Sequence, residues 1–198
     1  MQPYEIIVSP FQIYLAPVGE AFSLLDDVPA GNWRLLGTSG KYNYAEDGVT
    51  VTHEQTINQI RTLGSTGPVK VARPEENMTI ELILMDCSLE HYATLLNDVS
   101  VGDIAAGAGT PGYRNITLRQ GPTVATFALL CKGVSPYADG WYTQYQVPIV
   151  YQGANPAPVF TKGAAAGLAC SFMALEDPNA ATEAERFGKL LAQDAEAE

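Results

Sequence analysis

Apolar and polar positions alternate most clearly between Gly48 and Asn97. Along NMTIELILM, Met78, Ile80, Leu82 and Leu84 fall on one side of an extended chain, and Asn77, Thr79, Glu81 and Ile83 on the other. That period of two predicts a half-buried strand with one core face and one mostly polar face. Upstream, VTVTHEQTINQIRTL from Val49 to Leu63 predicts a second, longer strand. Its Thr50, Thr52, Glu54, Thr56 and Asn58 form an almost purely polar face; Val49, Val51 and Ile57, with His53, Gln55 and Gln59, form a face that starts apolar and becomes mixed. GSTGP from Gly64 to Pro68 supplies turn chemistry between the two strands. A hairpin over residues 48–86 is too long to lie wholly on its own domain, so its mixed face is expected to continue against another subunit.

The same reading orders the rest of the chain. Residues 1–10 carry two prolines and no core-forming pattern, and read as an extended arm suited to lie on a neighbour. Residues 11–178 read as one domain. Phe11, Ile13 and Leu15 mark a first strand ended by Pro17 and Gly19, and WRLLG from Trp33 to Gly37 a short second one. After the hairpin, Ser88 is placed to cap a helix over 88–97. Glu90 sits in its first turn, and Leu89, Tyr92, Ala93 and Leu96 form its apolar stripe. A Gly-rich loop is expected over 98–115, then strands at ITLRQ, at Val124–Lys132, at Trp141–Gln152, around Val159–Thr161 and at Leu168–Glu176. Short strands relieved by one helix predict a mainly β fold, a sandwich or barrel with one flanking α-helix and a long hairpin. Residues 179–198 are acidic and Ala-rich, and are expected to be mobile, ordered by a partner, or docked as a helix whose stripe is Phe187, Leu190 and Leu191.

Composition narrows the function classes. A length of 198 residues suffices for a substantial core, and 46% hydrophobic with 17% charged residues describes a folded protein. The formal net charge of −11 argues against gripping nucleic acid through its phosphates, which needs clustered Lys and Arg. No basic region followed by an apolar run opens the chain, and no stretch has the roughly 20 apolar residues that span a bilayer, so a soluble, cytoplasmically made protein without membrane insertion is expected. Cys87, Cys131 and Cys170 are odd in number and beside apolar residues, and read as buried, reduced side chains.

Candidate chemistry is sparse. Gly107–Gly112 matches G-x-G-x-x-G, but Pro111 lies inside it and a strand, not a helix, follows, so the amides that would hold a pyrophosphate are missing. His53 and His91 lack companions at metal-ligand spacing, and His91 is expected on the solvent side of its helix. No serine sits in a nucleophile elbow, and the pairs Asp26–Asp27 and Glu75–Glu76 read as solvated loop carboxylates. No catalytic set, cofactor site or metal site emerges, and the expectation is a non-enzyme.

Several segments in order, YLAPVGEAF, GNWRLLGTSG, AEDGVTVTHEQTI, LGSTGPVKVAR, IELILMDCSLEHYATLLN, SPYADGW and FMALEDP, together resemble the major tail protein, or tail tube protein, of long-tailed, siphovirus-type bacteriophages. The resemblance runs from about Tyr14 to Pro178. It implies a virion structural protein that self-assembles as hexameric rings stacked into a hollow tube for DNA ejection, each subunit lending its hairpin to a β-barrel-lined ring. The implied partners are further copies of itself, the tape-measure protein, the tail terminator and the tail-tip proteins. Double-stranded DNA would cross the lumen without specific binding, and the protein would reside in the virion tail after assembly in the bacterial cytoplasm.

On that reading Thr50, Thr52, Glu54, Thr56, Thr79 and Glu81 are expected to line the lumen and repel DNA phosphates, an effect reaching about a Debye length, ~8 Å at physiological salt. The turn of Leu63, Gly64, Ser65, Thr66, Gly67 and Pro68, with the scarce bases Arg61, Lys70 and Arg73, is expected to contact the next ring. The alternatives are another head-tail protein such as a tail terminator, a hydrolase, or a carbohydrate-binding β-sandwich using Tyr137, Trp141, Tyr142 and Tyr145.

Overall fold

A computed structural model describes residues 7, 9–37, 43–138 and 140–196, so most of the expected N-terminal arm lies outside the described residues. The described chain is mainly β with one α-helix, as its alternation predicts. Strands β1 (Gln12–Pro17), β2 (Arg34–Leu35), β3 (Thr50–Ile60), β4 (Lys70–Leu84), β7 (Thr126–Val134), β8 (Tyr142–Gln152) and β9 (Leu168–Ala174) form one antiparallel sheet in the order β2-β1-β7-β8-β9-β4-β3. A last strand, β10 (Lys189–Ala192), pairs with the first half of β8, while β9 pairs with its second half. Helix α1 (Leu89–Leu95) follows β4, and β5 (Val101–Ile104) and β6 (Tyr113–Ile116) make a separate hairpin.

The sheet curls around its core without closing. Ile13 and Leu15 of β1, Ile80 and Leu84 of β4, Leu129 of β7, Val147 and Val150 of β8, and Leu168 and Phe172 of β9 meet on its inner face, each almost fully buried. Tyr44 spans the gap between the two sides. Its backbone bridges to Leu84, and its hydroxyl accepts from Ile13 N at 3.0 Å and donates to Leu36 O at 2.8 Å. Burial holds the phenol's pKa far above its ordinary value, so the donated proton stays in place.

A second, smaller core lies on the outer face of β1 and β7, where Tyr14, Ala16, Trp33, Ala128 and Leu130 are buried beneath the loop from Val18 to Asn32. Trp33 Nε1 donates to Ala21 O, Gln144 Nε2 to Ser23 O, and Lys132 Nζ to Asp27 O, and these bonds fasten the loop down. Covered on both sides, β7 reads as an almost unbroken apolar run.

The helix begins as its sequence predicts, with Ser88 Oγ accepting from His91 N. It ends at Asn97 and Asp98, whose φ angles of 82° and 54° are left-handed. Asn97 exploits that turn. Its amide donates to Gln120 O and Thr123 O and its carbonyl accepts from Ala125 N, bracketing the loop before β7 to the helix end.

Several expectations give way. Within the predicted Gly-rich loop, residues 101–104 and 113–116 pair as strands; the Asn115 amide lies over Gly102, and Arg114 reaches across to Glu90. Beyond Ile116, ITLRQ is not a strand, and near Val159 only an isolated bridge forms between Thr161 and Ala164. His91 does not face solvent: it is half-buried, its Nε2 3.7 Å from Asp86 Oδ2. Cys87 is exposed, although Cys131 and Cys170 are buried as expected. Residues 179–196 form neither a helix like the one considered nor a free tail. A 3₁₀ turn at Glu183–Glu185 leads into β10, because edge pairing with β8 outweighs the weak helical stripe that Gly188 interrupts.

Candidate functional site: the projecting hairpin

Strands β3 and β4 pair from Thr50–Glu81 out to Ile60–Lys70. Only the base of this hairpin touches the body: β9 pairs with β4 from Thr79 to Leu84, and the buried residues of β4 begin at Met78. The part of β4 from Lys70 to Asn77, about 27 Å of strand, therefore projects from the core. The outer hairpin carries exposed apolar side chains, with Ile57 of β3 49%, Val69 of the turn 55% and Val71 of β4 57% accessible, and Leu63 of the turn fully so.

Pairing gathers the expected lumen residues onto one face. Thr50 lies opposite Glu81, Thr52 opposite Thr79, Glu54 opposite Asn77, and Thr56 opposite Glu75, whose carboxylate accepts from the Thr56 hydroxyl at 3.3 Å. The face continues onto β9 and β8, since Ser171 lies opposite Glu81, and Met173 opposite both Thr79 and Tyr151. Ser171 Oγ donates to Glu81 Oε1 at 3.1 Å and fixes that carboxylate on this face. Thr79, flanked on both sides, is 9% exposed. The opposite face carries Val51 beside Ile80 and His53 beside Met78, and so leads out of the core.

An irregularity at Pro74 reorganises the outer half. Thr56 pairs with Glu75 but Asn58 pairs with Ala72, so Arg73 and Pro74 together oppose Ile57. A proline cannot donate to the ladder, and a bulge accommodates it. Beyond the bulge the alternation of β4 is inverted relative to β3. Ala72 and Lys70 join the face of Thr50 and Glu81, and Val71 joins that of Met78. Pro74 is the signal in the sequence for this inversion, and simple alternation overlooks it.

The expected inter-ring residues fall into two groups. Arg61 and Leu63–Pro68 sit at the tip, with Arg61 donating to Thr66 O and Gln59 Oε1, Ser65 Oγ donating to Gly67 O, and Lys70 next along. Arg73 lies apart, in the bulge, 3.6 Å from its own Glu76. Two of the three bases are thus engaged within the subunit.

A groove of about 540 Å³ opens at the hairpin's base, between β4 and β10. Met78, Tyr145, Phe187 and Leu190 make it apolar, with Arg73, Glu76 and Lys189 at its rim. Strands β9 and β10 occupy one lane along β8, but on that side β4 pairs with β9 alone and splays away from β10. The groove is the wedge this leaves, and sequence periodicity carries no trace of it.

Elsewhere, two of the aromatic residues considered for a carbohydrate platform, Tyr142 and Tyr145, lie on opposite faces of β8. Tyr145 packs against Phe11 with ring centroids 6.1 Å apart, whereas Tyr142, on the other face of β8, carries the Lys132 ammonium 4.5 Å above its ring. The G-x-G-x-x-G segment is a tight turn closed by a Gly107–Thr110 bridge between β5 and β6. Among the described residues no group of three His, Cys, Asp or Glu could hold a metal ion, and no helix is long and apolar enough to cross a membrane. Burial pushes the Cys170 thiol up to about 12 and Cys131 further still, so neither is a thiolate at neutral pH. No protein-family model matches the chain, and no curated protein matches it.

Proposed function

We propose that this protein is a structural subunit of a hollow tube of the phage tail-tube kind, in which hexameric rings stack and double-stranded DNA passes through without specific binding. The observation that carries this reading is the projecting hairpin, whose register lays Thr50, Thr52, Glu54, Thr56, Thr79 and Glu81 on one polar face. In a lone subunit such a hairpin is a liability. The outer edge of β3 runs unpaired among the described residues from Thr50 to Ile60 with no proline, glycine or lysine to blunt it, and the apolar side chains beyond the core stay wet. Joining such edges around a ring removes them and covers the apolar strip.

The polar face then becomes the channel wall. Its carboxylates and the net charge of −11 keep DNA phosphates from sticking. The tip, from Arg61 to Lys70, meets the next ring. Tape-measure, terminator and tail-tip proteins are the further partners that this reading implies, with the virion tail as location and no catalytic role.

Negative-stain microscopy of the purified protein tests the proposal, with tubes or stacked rings expected; monomers at every concentration would refute it. In a reconstruction of such a tube, Glu54 and Glu81 on the outer wall would overturn the channel assignment. Joint charge reversal at Arg61, Lys70 and Arg73 is expected to shorten the polymers, and unchanged length and yield would remove the tip from the ring contact.

A further inference from the structure

The bulge at Pro74 divides the polar face of the hairpin into two zones of different charge. Toward the base that face carries Glu54, Glu75 and Glu81. Beyond the bulge it carries Asn58, Ile60, Ala72 and Lys70, with no carboxylate among them. Residues 55–74 as a whole contain Arg61, Lys70 and Arg73 and no Asp or Glu, in a chain with 22 acidic residues.

The three bases are not equivalent. Arg73 lies 3.6 Å from Glu76, and Arg61 donates to Thr66 O and Gln59 Oε1. Lys70 is exposed and has neither a hydrogen bond nor an ion pair from its side chain among the described residues. Unbroken alternation from Glu81 would put Lys70 on the face of Met78; the extra residue at the bulge turns it onto the face of Glu81 instead. On that face the next carboxylate along β4 is Glu75. Glu75 and Lys70 lie opposite Thr56 and Ile60, four residues apart on β3, a separation of about 13 Å. The Debye length is ~8 Å at physiological salt, so the acidic zone leaves the lysine's field largely unneutralised.

We infer that Lys70 is a phosphate-contact site on the channel wall, taking the backbone of double-stranded DNA. The inference rests on the tube reading and refines it: the turn meets the next ring, while the Lys70 ammonium faces the passage. A hexameric ring then sets a circle of lysines beyond each acidic zone. A lone ammonium is a point charge without the bidentate fork that reads a base, so the contact is made to phosphate and is independent of sequence. It is also weakened by salt, through counterion release. Sparse contacts of this kind guide a passing duplex without holding it.

Amine acylation of tubes of the full-length protein at low salt, with and without a short blunt-ended DNA duplex and read by mass spectrometry, tests the assignment. In empty tubes Lys70 is expected to react as readily as in the unassembled subunit. The duplex is expected to protect Lys70 several-fold and to leave Lys162, in the loop after β8, unchanged; raised salt is expected to remove the protection. Tubes of Lys70→Gln are expected to retain less duplex on sedimentation than tubes of Lys162→Gln. Lys70 already unreactive in empty tubes would overturn the inference and place the side chain in the ring contact. Equal reactivity with and without the duplex would overturn it as well. Both results leave the tube reading standing, whereas a protein that forms no tubes would remove that reading and this inference together.

Discussion

Gly188→Ala isolates the energetic contribution of β10. Gly188 has φ +112°, and a Cβ there would lie 2.0 Å from Gln146 O and 3.1 Å from Val147 Cα, all backbone of β8. Backbone in mid-sheet cannot move aside, and the conformation alone costs about 1–3 kcal/mol for a residue with a side chain. The cheaper relief is release of β10. That forfeits the Lys189–Ala192 ladder and the bonds from Thr143 Oγ1 to Leu191 O at 2.9 Å and from Ser135 Oγ to Gln193 O at 2.8 Å. Each such bond contributes about 0.5–1.5 kcal/mol net.

The expected loss is about 3 kcal/mol, a Tm drop of about 6–12 °C. Urea titration reads the loss, and hydrogen exchange locates it at residues 143–146 and 189–192. Gly163→Ala is the control, because Gly163 has φ +84° but open space around its Cβ, so only the conformational penalty of about 1 kcal/mol applies. Equal destabilisation by the two substitutions, with protection at 143–146 retained, would refute the steric argument.

Other consequences are equally direct. Asn97→Ala removes three loop-pinning hydrogen bonds and is expected to cost about 2 kcal/mol and to speed exchange at 120–125; Asn97→Gly, which eases the left-handed φ of 82° but restores no bond, should not rescue it. Burial holds His91 below its ordinary value of 6.5, against the opposing pull of Asp86 and Glu90 and with Arg34 adding to the depression. The unfolded chain therefore takes up this proton first, so stability is lost as pH falls from about 6.5 toward the folded value, and His91→Gln should flatten that limb in urea titrations run across the range. Phe172→Ala, at a core position 1% exposed, is expected to cost about 3–5 kcal/mol by the same assay.

What the chain declared in advance is local. Alternation placed Met78, Ile80, Leu82 and Leu84 inward and set Glu81 outward, and Ser88 announced the helix start, because side-chain direction in a strand and capping at a helix end depend on residues a few positions away. The common polar face of Thr50, Thr52, Glu54 and Thr56 was legible for the same reason. Tertiary structure decided which edges meet. Burial by two layers made β7 a continuous run, Tyr44 joined β4 to β1, and the free edge of β8 drew residues 189–192 into a strand that their acidic, alanine-rich surroundings disguised. Pairing partners lie tens of residues apart and are selected by backbone groups that every residue shares. Side-chain direction along the regular part of β4 could therefore be read from the sequence, whereas the inversion beyond Pro74, the splay of β4 from β10, and the wedge it opens arose only when the sheet was assembled.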